Sequence, residues 1–258
     1  MRRVAVFPNI ITTGNMVCGL WAILYCLGGN PDDFKRACWL ILLAILLDGL
    51  DGIIAVLTKS CSKFGIQYDS LADLVSFAVA PAILLVTDFQ IHTEGYLKQS
   101  PAHWAMTVIL VVCVGLRLAR FNLQATSDEK KSFQGLPCPT SAGLISLLLL
   151  SFHYYDYRIP SQILLLLVIG LGILMVSSIP YPSLTRADFF KTQPVPTLFL
   201  VVLSFAAVLM EPIGIPLLAV FAYILFGLAR RFAPHSLRQP LARFVETKKT
   251  SAYRRFKT

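Results

Sequence analysis

A chain of 258 residues that is 56% hydrophobic and only 14% charged, with mean hydropathy +0.67, is not an ordinary soluble domain, where about a quarter of residues carry charge. Its net charge of +9 is uneven: basic residues crowd the stretch after Ala229, from Arg230 and Arg231 to Arg254, Arg255 and Lys257. They follow an apolar segment and bring no nucleic-acid-binding fold with them, so nucleic acid is not expected as a partner. Six cysteines, with no C-x-x-C pair, mostly within apolar runs, read as buried small hydrophobes rather than metal ligands or disulfides.

The chain predicts an all-α, polytopic membrane helical bundle. A span needs about 20 mostly apolar residues. Eight stretches qualify or nearly so: 10–28, 36–57, 70–89, 103–121, 140–156, 161–179, 195–210 and 213–231. The fifth and seventh are short. Met1-Arg2-Arg3 looks like the start of a signal peptide, but no small-residue cleavage site follows, so the first segment is expected to be retained. Pro81 falls inside the third stretch and predicts a kink there. One membrane-embedded domain is expected over 1–231, with a basic tail over 232–258.

Loop charge orients the bundle. Lys59 and Lys63 follow the second stretch, Arg117, Arg120, Lys130 and Lys131 flank the loop after the fourth, and Arg186 and Lys191 follow the sixth. The alternate loops are poorer in net positive charge, so both termini are expected on the cytoplasmic side of the inner membrane. The basic tail either lies against anionic lipid headgroups or serves only as a topology determinant.

Four aspartates at the second and third stretches carry the chemistry. Asp48 and Asp51 are three apart, with Gly52 next, on one face of a helix; Asp69 and Asp73 are four apart, with Gly65 four before Asp69. The short loop between makes the two helices antiparallel neighbours, so both pairs meet at the cytoplasmic mouth of a hairpin. A charge at the centre of a membrane helix costs about 2.5–3.5 kcal/mol on insertion scales, so four carboxylates ask for compensating cations. Oxygen-only ligation without histidine suits Mg²⁺, Mn²⁺ or Ca²⁺, and two ions can be bridged as in phosphoryl transfer. Capping explains Asp69 tolerably, but not Asp48 and Asp51 deep in an apolar helix. A proton or ion relay is disfavoured because acidic residues do not recur along other spans.

The pattern Asp48-x2-Asp51-Gly52-x2-Ala55-x9-Gly65-x3-Asp69-x3-Asp73 closely resembles the signature of the CDP-alcohol phosphatidyltransferases. One departure is Val56, where that family usually has arginine. Either another basic residue substitutes, Lys59 or Lys63 being nearest, or activity is weakened. Further stretches resemble the bacterial and archaeal phosphatidylserine synthases of the family, among them Phe7-Pro8-Asn9, Thr12 to Asn15, Arg117-Leu118-Ala119-Arg120-Phe121-Asn122, Phe133 to Pro139 and Ile179-Pro180-Tyr181-Pro182-Ser183.

The resemblance implies CDP-diacylglycerol and L-serine as substrates, phosphatidylserine and CMP as products, and a homodimer among membrane lipids. It implies two divalent ions, Mg²⁺ or Mn²⁺, on Asp48, Asp51 and Asp69, with Asp73 as base for the serine hydroxyl and a further metal contact. Gly52, Ala55 and Gly65 would line the cytidine region. Asn15 either meets the nucleotide or bonds another helix. Arg117 and Arg120 either clasp a lipid phosphate or the serine carboxylate, or snorkel to the interface. Asn122 and the Gly135-Leu136-Pro137 turn would shape the acceptor pocket. Another acceptor alcohol (glycerol 3-phosphate, inositol phosphate or choline), a divalent-cation transporter and an inactive paralogue are the competing readings.

Overall fold

Glycine and proline set the first hairpin. Helix α1 (Val6–Gly28) ends where Gly29 turns to φ +69°, a left-handed conformation that costs glycine little. Helix α2 (Pro31–Leu57) starts two residues later, with proline at its first position and Asp32 and Asp33 at the positive end of its dipole. The sequence places the second span from residue 36. The helix begins earlier, so Lys35 and Arg36 are helical and pair with Asp32 and Asp33 one turn back.

The computed structural model describes residues 6–58, 62–92, 101–126, 135–157, 159–179, 181 and 211–232. After α2 come α3 (Lys63–Leu74), a π-helical turn (Val75–Val79) and α4 (Ala80–His92), which run on as one rod. Then follow α5 (Pro101–Thr126), α6 (Cys138–Tyr154), α7 (Ser161–Val176) and α8 (Gly214–Phe232). The π turn sits just before Pro81. A proline in a helix offers no N–H and presses on the carbonyl four residues back, here that of Phe77; the wider winding, with the Ala80 N–H on the Val75 carbonyl, takes up that conflict.

Helix α1 lies along α2 and also meets α3 and the π turn; α5 packs on α7, and α2 on α6. Phe34, Ile41, Phe77, Leu84, Leu110 and Leu149 are completely buried between them. Ile10, Leu24, Leu46, Leu116, Leu166 and Leu218 point outward. So wide an apolar exterior is what a bilayer covers, and the chain is an integral membrane protein.

Among the described residues, four helical stretches are long and apolar enough to span: Pro8–Gly28, Pro31–Ile54, Phe64–Ile91 and Trp104–Leu123. The eight expected stretches are therefore not all matched. Cys138–Tyr154, Ser161–Val176 and Gly214–Ala229 are apolar but shorter; at about 1.5 Å per residue such helices cross a hydrocarbon core about 30 Å thick only where the bilayer thins or flanking residues reach the interface. The sixth stretch stops at Val176 because Ser177 turns extended, at φ −62° and ψ 163°. The expected span at 195–210 and the basic tail beyond Phe232 lie outside the described residues.

Candidate active site

The loop between α2 and α3 closes on a cap. Ser62 takes an extended conformation, and its hydroxyl accepts the Gly65 N–H at 2.9 Å. This fixes the start of α3; α1 packs on both α2 and α3, more than those two pack on each other, and the two acidic faces meet against it. One carboxylate oxygen from each of Asp48, Asp51 and Asp69 lies within 4.8 Å of the others. Asp73, 8% exposed, lies one turn deeper and within electrostatic reach of all three. The convergence expected from the spacing is thus present. Among the described residues no lysine or arginine forms an ion pair with any of the four.

Helix α1 supplies the partners instead. Thr12, Asn15 and Gly19 fall on one stripe, at i, i+3 and i+7. The Thr12 hydroxyl lies 2.7 Å from Asp51 Oδ2 and 3.1 Å from the Pro8 carbonyl, two acceptors for one hydrogen. Asn15, fully buried, donates Nδ2–H to Asp73 Oδ1 at 3.3 Å, and its carbonyl accepts the Ser76 hydroxyl at 2.9 Å. At Gly19 a Cβ would collide with Ser76 side chain and backbone, so this glycine lets α1 lie directly on the π turn. Of Asn15's two expected roles, the helix-to-helix bond is present. Its Oδ1 is buried without a partner among the described residues, as is Asp69 Oδ1.

The glycines differ. A Cβ on Gly52 would meet nothing within 4 Å, so that side of α2 faces open space. A Cβ on Gly65 would sit 3.1 Å from Ser62 Oγ and 3.4 Å from Asn9 Oδ1, so this glycine also serves the cap and the approach of α1. The side chains of Ala55, Val56 and Lys63, and all of Lys59, lie outside the described residues.

On α5 the polar residues separate. The charge of Arg117 reaches Asp48; its Nη1 donates to Cys138 Sγ at 2.9 Å, and its Nε is buried with no partner among the described residues. Arg120 instead donates to backbone carbonyls at the end of α7. Asn122 Oδ1 accepts the Ser70 hydroxyl at 3.0 Å, which ties α5 to the helix of Asp69 and Asp73. Sequence reasoning missed Thr12 as a partner of Asp51 and Ser76 as a partner of the Asn15 backbone carbonyl, and read Cys138 only as a small hydrophobe. The stripe of Thr12, Asn15 and Gly19 on an apolar helix was the signal that could have found Thr12.

Among the described residues the donor set is all carboxylate, clustered, without an ion-paired lysine or arginine, and partly unsatisfied. That fits hard divalent cations with oxygen ligands. Helicobacter pylori has a protein named CDP-diacylglycerol–serine O-phosphatidyltransferase that is 36% identical over 228 residues, covering 87% of this chain and 90% of the relative. A protein of the same name in Methanocaldococcus jannaschii is 34% identical over 89% of this chain and 96% of its own. One in Mycobacterium tuberculosis is 30% identical over 85% and 76%. The model of the CDP-alcohol phosphatidyltransferases matches residues 5–179, a range that holds all four aspartates and the α1 residues that bond them, and the chain belongs to that family.

Proposed function

We propose that this protein transfers the phosphatidyl group of CDP-diacylglycerol to the hydroxyl of L-serine, giving phosphatidylserine and CMP. The observation that carries the reading is the convergence of Asp48, Asp51 and Asp69 within 4.8 Å, with Asp73 beside them, in a chain similar over most of its length to proteins named for this reaction.

Asp48, Asp51 and Asp69, with help from Asp73, would hold two divalent ions, Mg²⁺ or Mn²⁺. Bound there, the ions would neutralise the pyrophosphate and stabilise CMP as leaving group. The Thr12 hydroxyl aims Asp51, and the Asn15 amide aims Asp73. Asp73 takes the proton from the serine hydroxyl as the serine oxygen bonds to phosphorus and the bond from phosphorus to the CMP oxygen breaks. The open side of Gly52, with Ala55 and Gly65, receives the nucleotide. Arg117 meets the serine carboxylate or the lipid phosphate, and Asn122 holds α3 in place for that acceptor side.

The finer architecture belongs to the same proposal. It comprises about eight spans in one catalytic domain over 1–231, a basic tail over 232–258, and a homodimer in the inner membrane with both termini and the site facing the cytoplasm. Loop charge and the cytosolic supply of serine support this orientation.

The test is CMP release by purified protein with CDP-diacylglycerol and Mn²⁺, with and without L-serine. Serine-dependent release is expected. Release only with another alcohol would keep the family and change the product. Silence with every acceptor would favour an inactive paralogue or a cation transporter.

A further inference from the structure

Arg120 lies one turn beyond Arg117 on α5, and its guanidinium is occupied by backbone. Nη1 donates to the Val176 carbonyl at 2.8 Å, and Nη2 to those of Ser177 at 3.2 Å and Met175 at 3.3 Å. Two of these carbonyls are among the last four of α7, which have no partner inside the helix, and a cation there also meets the negative end of the helix dipole.

The turn before α6 docks on the same spot. The Gly135 N–H donates to the Ile179 carbonyl at 2.8 Å and the Leu136 N–H to that of Leu174 at 3.1 Å. Gly135 has φ +87°, and a Cβ there would collide with the Met175 carbonyl and stand 2.8 Å from Arg120 Nη2. Both the conformation and the space require glycine. Three residues on, Cys138 opens α6 and accepts Arg117 Nη1. A circuit results: Arg120, the end of α7, the Gly135 turn, Cys138, Arg117, and back along α5.

We propose that Arg120 is a positioning residue that pins the end of α7 and the Gly135 turn, so that Cys138 holds the Arg117 guanidinium toward the aspartates, while Arg120 itself takes no substrate oxygen. The role of Arg117 in this inference rests on the function proposed above. Lysine cannot replace arginine here, because one ammonium does not reproduce a planar fork bonded to three carbonyls.

The experiment compares full-length wild type with Arg120→Ala, Arg120→Lys, Gly135→Ala and the Arg120→Ala/Gly135→Ala double variant. The first readout is the rate at which N-ethylmaleimide labels Cys138, mapped by mass spectrometry. Cys138 is fully buried, so wild type is expected to label slowly and each variant about tenfold faster or more, as local opening exposes the thiol. The second readout is serine-dependent CMP release. Each single variant is expected to lose about 10- to 100-fold in kcat, the scale of a displacement near 1 Å. The double variant should be no worse than the poorer single, because both residues serve one unit.

The proposal is overturned if Cys138 stays protected in the Arg120 variants, if Arg120→Lys restores activity, or if the two losses multiply; each marks Arg120 as a substrate ligand acting alone. Should Arg120→Ala fail to fold, Arg120→Lys and Gly135→Ala carry the same comparison. A wild type that releases no CMP with serine defeats the proposed function, and the labelling of Cys138 still judges the clamp.

Discussion

The mouth of the α2–α3 hairpin and the end of α7 both gather polar groups among apolar helices, in opposite ways. At α7, the Arg120 guanidinium and the N–H groups of Gly135 and Leu136 meet carbonyls of residues 174–179. At the mouth, three carboxylates crowd within 4.8 Å, and the buried Oδ1 atoms of Asp69 and Asn15 have no partner among the described residues. A buried polar group left unpaired costs about 1–3 kcal/mol. A region whose donors and acceptors match is holding the fold; a region that tolerates like charges side by side is kept for what binds there. Arg117 stands between the two, its Nη1 bonded to Cys138 and its Nε unpartnered.

The largest effect that would break this contrast is at the carboxylates. Asp51→Asn or Asp69→Asn is expected to abolish CMP release, by about 10³-fold or more, on the scale at which removing one key electrostatic group acts, while thermal unfolding shows the protein still folded. Near-normal turnover in either variant would remove the metal assignment. Chelation with EDTA should silence wild type and Mg²⁺ or Mn²⁺ should restore it; turnover that persists in a well-chelated sample would count equally against it.

A smaller effect sharpens the role of α1. Thr12→Val removes the hydroxyl that aims Asp51. It is expected to weaken Mn²⁺ binding about 10- to 100-fold, as loss of a ligand's supporting bond does, with Thr12→Ser close to wild type. Calorimetric titration of Mn²⁺ without substrate checks this apart from turnover, and equal affinities in Thr12→Val and wild type would leave the hydroxyl structural only.

The smallest effect tests the close approach alone. Gly19→Ala forces α1 away from Ser76 and is expected to lower stability by about 1–3 kcal/mol, the usual cost of overpacking, with metal affinity falling less than in Thr12→Val. Unchanged unfolding would show that the helices part at no cost.

The acidic site was legible because its information is local: Asp48 and Asp51, then Asp69 and Asp73, share faces by helical spacing, and a short loop leaves few ways to pair them. The stripe of Thr12, Asn15 and Gly19 was present in the sequence, but which helix it would face depends on tertiary packing that spacing does not encode. Arg117 and Arg120 looked equivalent for the same reason. They differ only in what α6 and α7 bring beside them, from residues 21 to 57 positions away. Span ends were blurred where polar residues such as Asp33 and Arg36 continue a helix by pairing with each other along one face.

The π turn at Val75–Val79 has one more consequence. It is a phase slip of a single residue between the segment carrying Asp69 and Asp73 and the segment built around Leu84. Each residue of an α-helix turns the chain by about 100°. Removing one residue from that turn would leave a more regular helix, and would rotate Asp69 and Asp73 by about that angle away from Asp48 and Asp51. The irregular winding is therefore a gear tooth: it lets one rod grip the bilayer core on one bearing and present its acids on another.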